Sequence, residues 1–166
     1  MRVLGIDPGL ATMGYGVVER AGKGFRPVAL GVIRTDGRST QSQRLAHIQR
    51  DLMDIMRAHV PDVVAIERLF FNANVKTAMS VGQASGVALA TAAESGLEVY
   101  DYTPPEVKQS VVGVGNASKR QVQTMVASLL GLTQIPRFPD AADACALGIC
   151  HLNRSGLREA IGAVYR

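Results

Sequence analysis

The 166-residue sequence has no tryptophan, two cysteines, three histidines and 5% aromatic residues. Cys145 and Cys150 lie five apart in a segment of helical pattern, and at about 100° per residue they point to different sides. That spacing argues against a disulfide or a shared metal ion, and for small buried thiols in a reducing compartment. His47, His59 and His151 share no ligand spacing, so zinc is not indicated and packing or surface roles fit them better. No apolar run approaches the roughly 20 residues that span a bilayer. The N-terminus enters directly on a strand pattern instead of a basic stretch and a long apolar one, so a cytoplasmic protein with no membrane partner is expected. Internal repeats, low-complexity tracts and long linkers are also missing. What is present is a globular composition, 47% hydrophobic against 19% charged, which excludes a largely disordered chain. A chain of this length buries about 70% of its unfolded surface, enough for a core without disulfides.

One domain is expected over residues 1–155, with 156–166 as a peripheral C-terminal tail. The first third carries strand patterns at 2–6, 14–19 and 27–34, punctuated by Asp-Pro-Gly and by Gly22 and Gly24, which predicts an antiparallel meander. Leu45, Ile48, Leu52 and Ile55 recur at three- and four-residue steps, predicting a helix over 40–59 that Pro61 stops. The run at 62–66, apolar after Asp62, fits a central strand covered on both faces. A helix over 74–95 carries Val75, Met79, Gly82, Gly86, Ala90 and Ala93, small residues that admit another backbone closely. Met53, Met56, Met79 and Met125 fall on helical faces as core filler. A strand at 97–101 and helices at 104–112, 118–130 and 140–153 complete an α/β mixed sheet with helices on both faces.

Four carboxylates sit at element ends beside small or apolar neighbours: Asp7 in GIDPG, Glu67 in VVAIER, and Asp140 and Asp143 in PDAADA. Asp140 and Asp143, three apart, share a helix face. Adjacent parallel strands would bring Asp7 and Glu67 together at their carboxyl ends, where open α/β sheets bind ligands. Each acid also has a plainer role: Asp7 in its turn, Glu67 beside Arg68 in a strand-end ion pair, and the aspartates as a helix cap. Gathered in one crevice, the four would repel each other unless hard divalent cations joined them. Two such ions about 3.5–4 Å apart serve phosphodiester hydrolysis. The basic excess of 18 over 14, with Lys108, Lys119, Arg120 and Arg137 against Glu106 alone between positions 102 and 137, suits a polyanionic partner. In 69–76 (LFFNANVK), the adjacent rings Phe70 and Phe71 do not readily face one core, leaving one available to stack on a base.

Together, GIDPGLATMGYGVVE, AIERLFFNANVKTAMSVGQASGVAL, PPEVKQSVVGVGNASKRQVQ and PDAADACALGI resemble the RuvC family of Holliday junction resolvases over nearly the whole chain. The resemblance implies a ribonuclease H-like fold and an endonuclease that resolves four-way junction DNA by paired symmetric nicks in recombination and repair. It implies Asp7, Glu67, Asp140 and Asp143 as catalytic metal ligands for two Mg²⁺, with Mn²⁺ substituting. It also implies Lys108 and Lys119 as catalytic lysines beside the scissile strand and Phe70 as the ring that stacks on junction bases. Arg68, Lys76 and Arg120 are added as DNA contacts. A homodimer is implied, for which the Gly- and Ala-rich face of 78–90 is the candidate interface, along with partnership with the RuvAB branch-migration complex.

Overall fold

In the computed structural model, the backbone is described for residues 1–68 and 75–164, and the side chains for 1–68 and 78–156. Strands β1 (Arg2–Asp7), β2 (Thr12–Ala21) and β3 (Gly24–Arg34) form the expected antiparallel meander. Two further strands, β4 (Val63–Glu67) and β5 (Glu98–Tyr102), extend the sheet in parallel from the other side of β1, in the order β3-β2-β1-β4-β5. Helix α1 (Gln41–His59) leads into β4, and α2 (Val75–Glu94) into β5. Both parallel connections step the same way along the sheet, so right-handed crossovers place both helices on one face. The other face carries α3 (Pro104–Val112), α4 (Lys119–Leu129) and α5 (Pro139–Val164).

Alternation along the central strands feeds the two layers. Leu4, Ile6, Val64 and Ile66 pack with Ile48, Leu52 and Met56 of α1 and with Ala84, Ala88 and Ala92 of α2. Val3, Val18 and Ala65 pack with Val107, Val122, Val126 and the stretch Cys145–Leu152 of the opposite layer. Both cysteines are buried there as free thiols, and desolvation pushes Cys145 up to about 12, well away from a reactive thiolate. His151 is buried too, its ring tilted against that of Tyr100 at 4.5 Å and its Nδ1 2.8 Å from the Tyr102 hydroxyl. Helices α1, α3 and α4 each open on a reciprocal capping box, Thr40 with Gln43, Thr103 with Glu106 and Ser118 with Gln121.

Three expectations need correction. The last helix does not stop at 153: its backbone continues through the expected tail to Val164. On α2 the packed stripe is Ala84–Ala88–Ala92, whereas Gly86, Ala90 and Ala93 are exposed and an added Cβ at Gly82 or Gly86 would meet open space. Met79 is 60% exposed and is no core filler. Small residues occupy both sides of this helix, so periodicity alone could not say which side faces the sheet.

Candidate active site

Parallel pairing of β1 with β4 runs through the Ile6–Ile66 partners, so Asp7 and Glu67 emerge together at the carboxyl edge of the sheet. The third contribution comes from α5, and glycines admit it. A Cβ at Gly14, the cross-strand partner of Asp7, would fall 2.0 Å from the Asp140 carbonyl oxygen. At Gly5 it would fall 1.8 Å from the Ala144 carbonyl oxygen, and at Gly16 2.5 Å from Cys145 Sγ. Three bare positions on one face of β1 and β2 therefore let the start of α5 lie directly on the sheet backbone. Asp140 and Asp143 are carried to Asp7 by that contact.

One carboxylate oxygen each from Asp7, Asp140 and Asp143 lies within 4.8 Å of the others. Glu67 is not in this tight triple, but its charge is felt by Asp7, and that of Asp143 is felt by Glu67. All four acids are half-buried. Desolvation, then repulsion from Glu67, Asp143 and Asp140, pushes Asp7 up to about 7. Glu67 is raised for the same two reasons, with Lys119 and Lys108 opposing. Lys119, in the first turn of α4, places Nζ 2.7 Å from Asp143 Oδ2, and that carboxylate holds its ammonium above the usual lysine range. A pocket of about 210 Å³ continues from the acids, lined by Glu67, Lys108, Lys119 and Asp143 over Val107, Val122 and Leu147. The donor set is all carboxylate oxygen and short of positive charge. Hard divalent cations fit it; thiophilic metals do not.

The sign of the Asp7 shift makes a testable statement about stability. Its folded form holds a proton more tightly than the unfolded chain, whose value is near 3.8, so stability drains away as the pH rises from about 4 to 7. Thermal melts without divalent metal should show that loss, and Asp7→Asn should melt higher than the unaltered chain at pH 8. Millimolar Mg²⁺ should raise the unaltered chain and leave Asp7→Asn nearly unmoved, since binding to the folded state stabilises it. Equal melting of the two chains at pH 8 without metal would show that the carboxylates do not strain the fold.

The remaining expected residues divide clearly. Lys108 and Lys119 face the acids. Arg120 follows Lys119 and is exposed. Arg68 is held in an exposed ion pair with Asp101, and its backbone N–H donates to the Tyr102 carbonyl at 2.8 Å. Phe70 lies outside the described residues, as does the side chain of Lys76. The glycine floor went unrecognised in the sequence, although Gly14 and Gly16 stand two apart and so share one strand face.

Residues 3–151 match the family described as Crossover junction endodeoxyribonuclease RuvC. The protein of that name from Caldanaerobacter subterraneus subsp. tengcongensis is 48% identical over 162 residues, 98% of each chain. Among solved structures, Thermus thermophilus RuvC superposes with a TM-score of 0.88 at 36% identity, covering 95% of this chain and 96% of the other. The T. thermophilus RuvC in complex with Holliday junction substrate gives 0.87 at 33% identity, with the same coverages.

Proposed function

The chain belongs to the RuvC family of crossover junction endodeoxyribonucleases, and on that footing we propose that it resolves Holliday junctions with Asp7, Glu67, Asp140 and Asp143 as its catalytic carboxylates. The observation that carries this assignment is the convergence of acids from three separate elements, β1, β4 and α5, on one crevice with lysines at its side. These four would hold two Mg²⁺, or Mn²⁺, which when bound supply water activation and stabilisation of the leaving oxygen. Lys119 and Lys108 orient the phosphodiester and offset the charge that develops on it. Lys119 also pairs with Asp143, which fixes that carboxylate at the crevice. Phe70 stacks on a junction base, and Arg68, Lys76 and Arg120 add phosphate contacts, Arg68 after exchanging its Asp101 partner. A synthetic mobile four-way junction should be cut in paired, symmetric positions with Mg²⁺ and left whole without it. An intact junction in the presence of the ion would reject the reading.

A four-way junction has approximate two-fold symmetry and one chain supplies one site, so two opposed cuts call for a two-fold dimer. Met79, Gly82, Gly86 and Leu89 form a helical stripe on the open side of α2, with Met79 60% and Leu89 43% exposed, and this stripe is the dimer surface we assign. Gly86→Glu should leave the fold intact, because its side chain projects into open space in the single chain. It should elute as a monomer and lose the pairing of cuts. A dimer of unchanged affinity would refute the assignment. The setting is cytoplasmic, alongside the RuvAB branch-migration motor; no helix among the described residues is long and apolar enough to cross a membrane.

A further inference from the structure

Several exposed arginines are committed to carboxylates, Arg38 to Asp36 and Arg68 to Asp101 among them. Arg34 and Arg137 are different. Among the described residues neither side chain joins an ion pair or a hydrogen bond, and both lie over the ring of Phe138, their guanidinium carbons 4.6 and 5.5 Å from its centroid. Both are exposed, while Phe138 is half-buried and fixed at the entry to α5. Stacking on a ring orients a guanidinium plane while leaving its N–H edge free. That edge matches the oxygens of a phosphate, and no carboxylate among the described residues pairs with it.

Topology puts this pair on a particular side of the acids. Arg34 closes β3 opposite Thr12, and Gly14, two residues further along β2, pairs with Asp7. Phe138 precedes Asp140 by two residues, a span of at most about 7 Å. The lysines stand with Glu67 on the β4 side, so the carboxylates have cations on both flanks. Successive phosphates of one strand rise about 3.4 Å along a duplex. A backbone whose scissile phosphate sits at Asp7 and which leads away toward β3 reaches the Phe138 ring within a few nucleotides.

We propose that Arg34 and Arg137, held on the Phe138 ring, form a phosphate clamp that grips the cleaved DNA strand a few nucleotides from the scissile bond. This inference rests on the junction-resolving reading above and adds a positioning site to it. The full-length protein is titrated with a synthetic four-way junction across a salt series, without divalent metal, and single-turnover cleavage is then measured with Mg²⁺ at saturating protein. Arg34→Gln and Arg137→Gln should each weaken binding roughly tenfold at low salt. Each should also flatten the slope of log affinity against log salt by about 0.9. Cleavage at saturation should stay within about twofold of the unaltered chain. Lysine at either position should recover the slope and only part of the affinity, because a lysine keeps the charge without the planar fork. Arg57→Gln, at the far end of α1, is the control and should change neither quantity.

Unchanged affinity and slope in a folded double variant would overturn the clamp. So would an equal loss in Arg57→Gln, or a collapse of saturated cleavage without loss of binding. Failure of the unaltered chain to bind or cut the junction would instead bring down the functional reading itself, so the two failures are distinguishable.

Discussion

Asp7→Asn should bind four-way junction DNA at least as tightly as the unaltered chain and cut it about 10⁴-fold more slowly, or worse. Asparagine keeps the shape and one carbonyl oxygen but removes the charge that sits among three other acids. A cation held by this cluster would lose an anionic ligand, and the loss would fall on the chemical step and not on the encounter. Binding should be retained because removing a negative charge lowers the repulsion that an incoming phosphate meets. The measurement pairs an electrophoretic binding titration without metal with single-turnover cleavage in Mg²⁺. A Mn²⁺ series is informative, since a site weakened in affinity recovers part of its rate at high metal concentration. Cleavage at the unaltered rate would remove Asp7 from the catalytic set. Cleavage lost together with binding would assign it a structural role.

Much of the acidic cluster was legible because strand ends announce themselves. After their first residues, RVLGI and DVVAI are apolar, so an acid closing each one is out of place unless it faces something. Asp140 and Asp143 were legible by helical spacing alone. The order of elements followed from punctuation by glycine and proline, and Pro27 lies on the edge strand β3, where its missing N–H costs no central hydrogen bond. Other features depend on tertiary contacts that periodicity does not carry. The side of α2 that packs is decided by a sheet meeting alanines instead of glycines, and both are small. The run-on of α5 past 153 has no proline to stop it, and Gly156 sits inside the helix as a tolerated weak point. Arg68 was foreseen at a strand end, but its partner, Asp101 on β5, lies 33 residues away in sequence. The hardest feature to foresee was the glycine floor, because its meaning appears only when a helix backbone comes to rest on it.

Gly14→Ala tests that floor at the turn that carries Asp140, and should produce a large structural effect for one added methyl group. The new Cβ would meet the Asp140 carbonyl oxygen at 2.0 Å and its carbonyl carbon at 2.4 Å, both backbone atoms that cannot rotate away. Ordinary contact needs at least 3.4 Å, so the first turn of α5 must lift by more than an ångström. Overpacking of this kind costs about 3 kcal/mol or more, which lowers the melting temperature of a chain this size by roughly 10 °C. Because the displaced turn carries two of the acids, cleavage should also fall about 100-fold at temperatures where the variant is fully folded, as expected for reacting groups moved by an ångström. Gly148→Ala is the matched control in the same helix–sheet interface. Its Cβ would come 3.4 Å from Val18 side-chain atoms and 3.8 Å from the Val3 carbonyl, a contact the core can absorb. It should melt within a few degrees of the unaltered chain and cut at a similar rate. If Gly14→Ala matches Gly148→Ala in both measurements, α5 is not seated by bare backbone, and something other than the glycines brings Asp140 and Asp143 to Asp7.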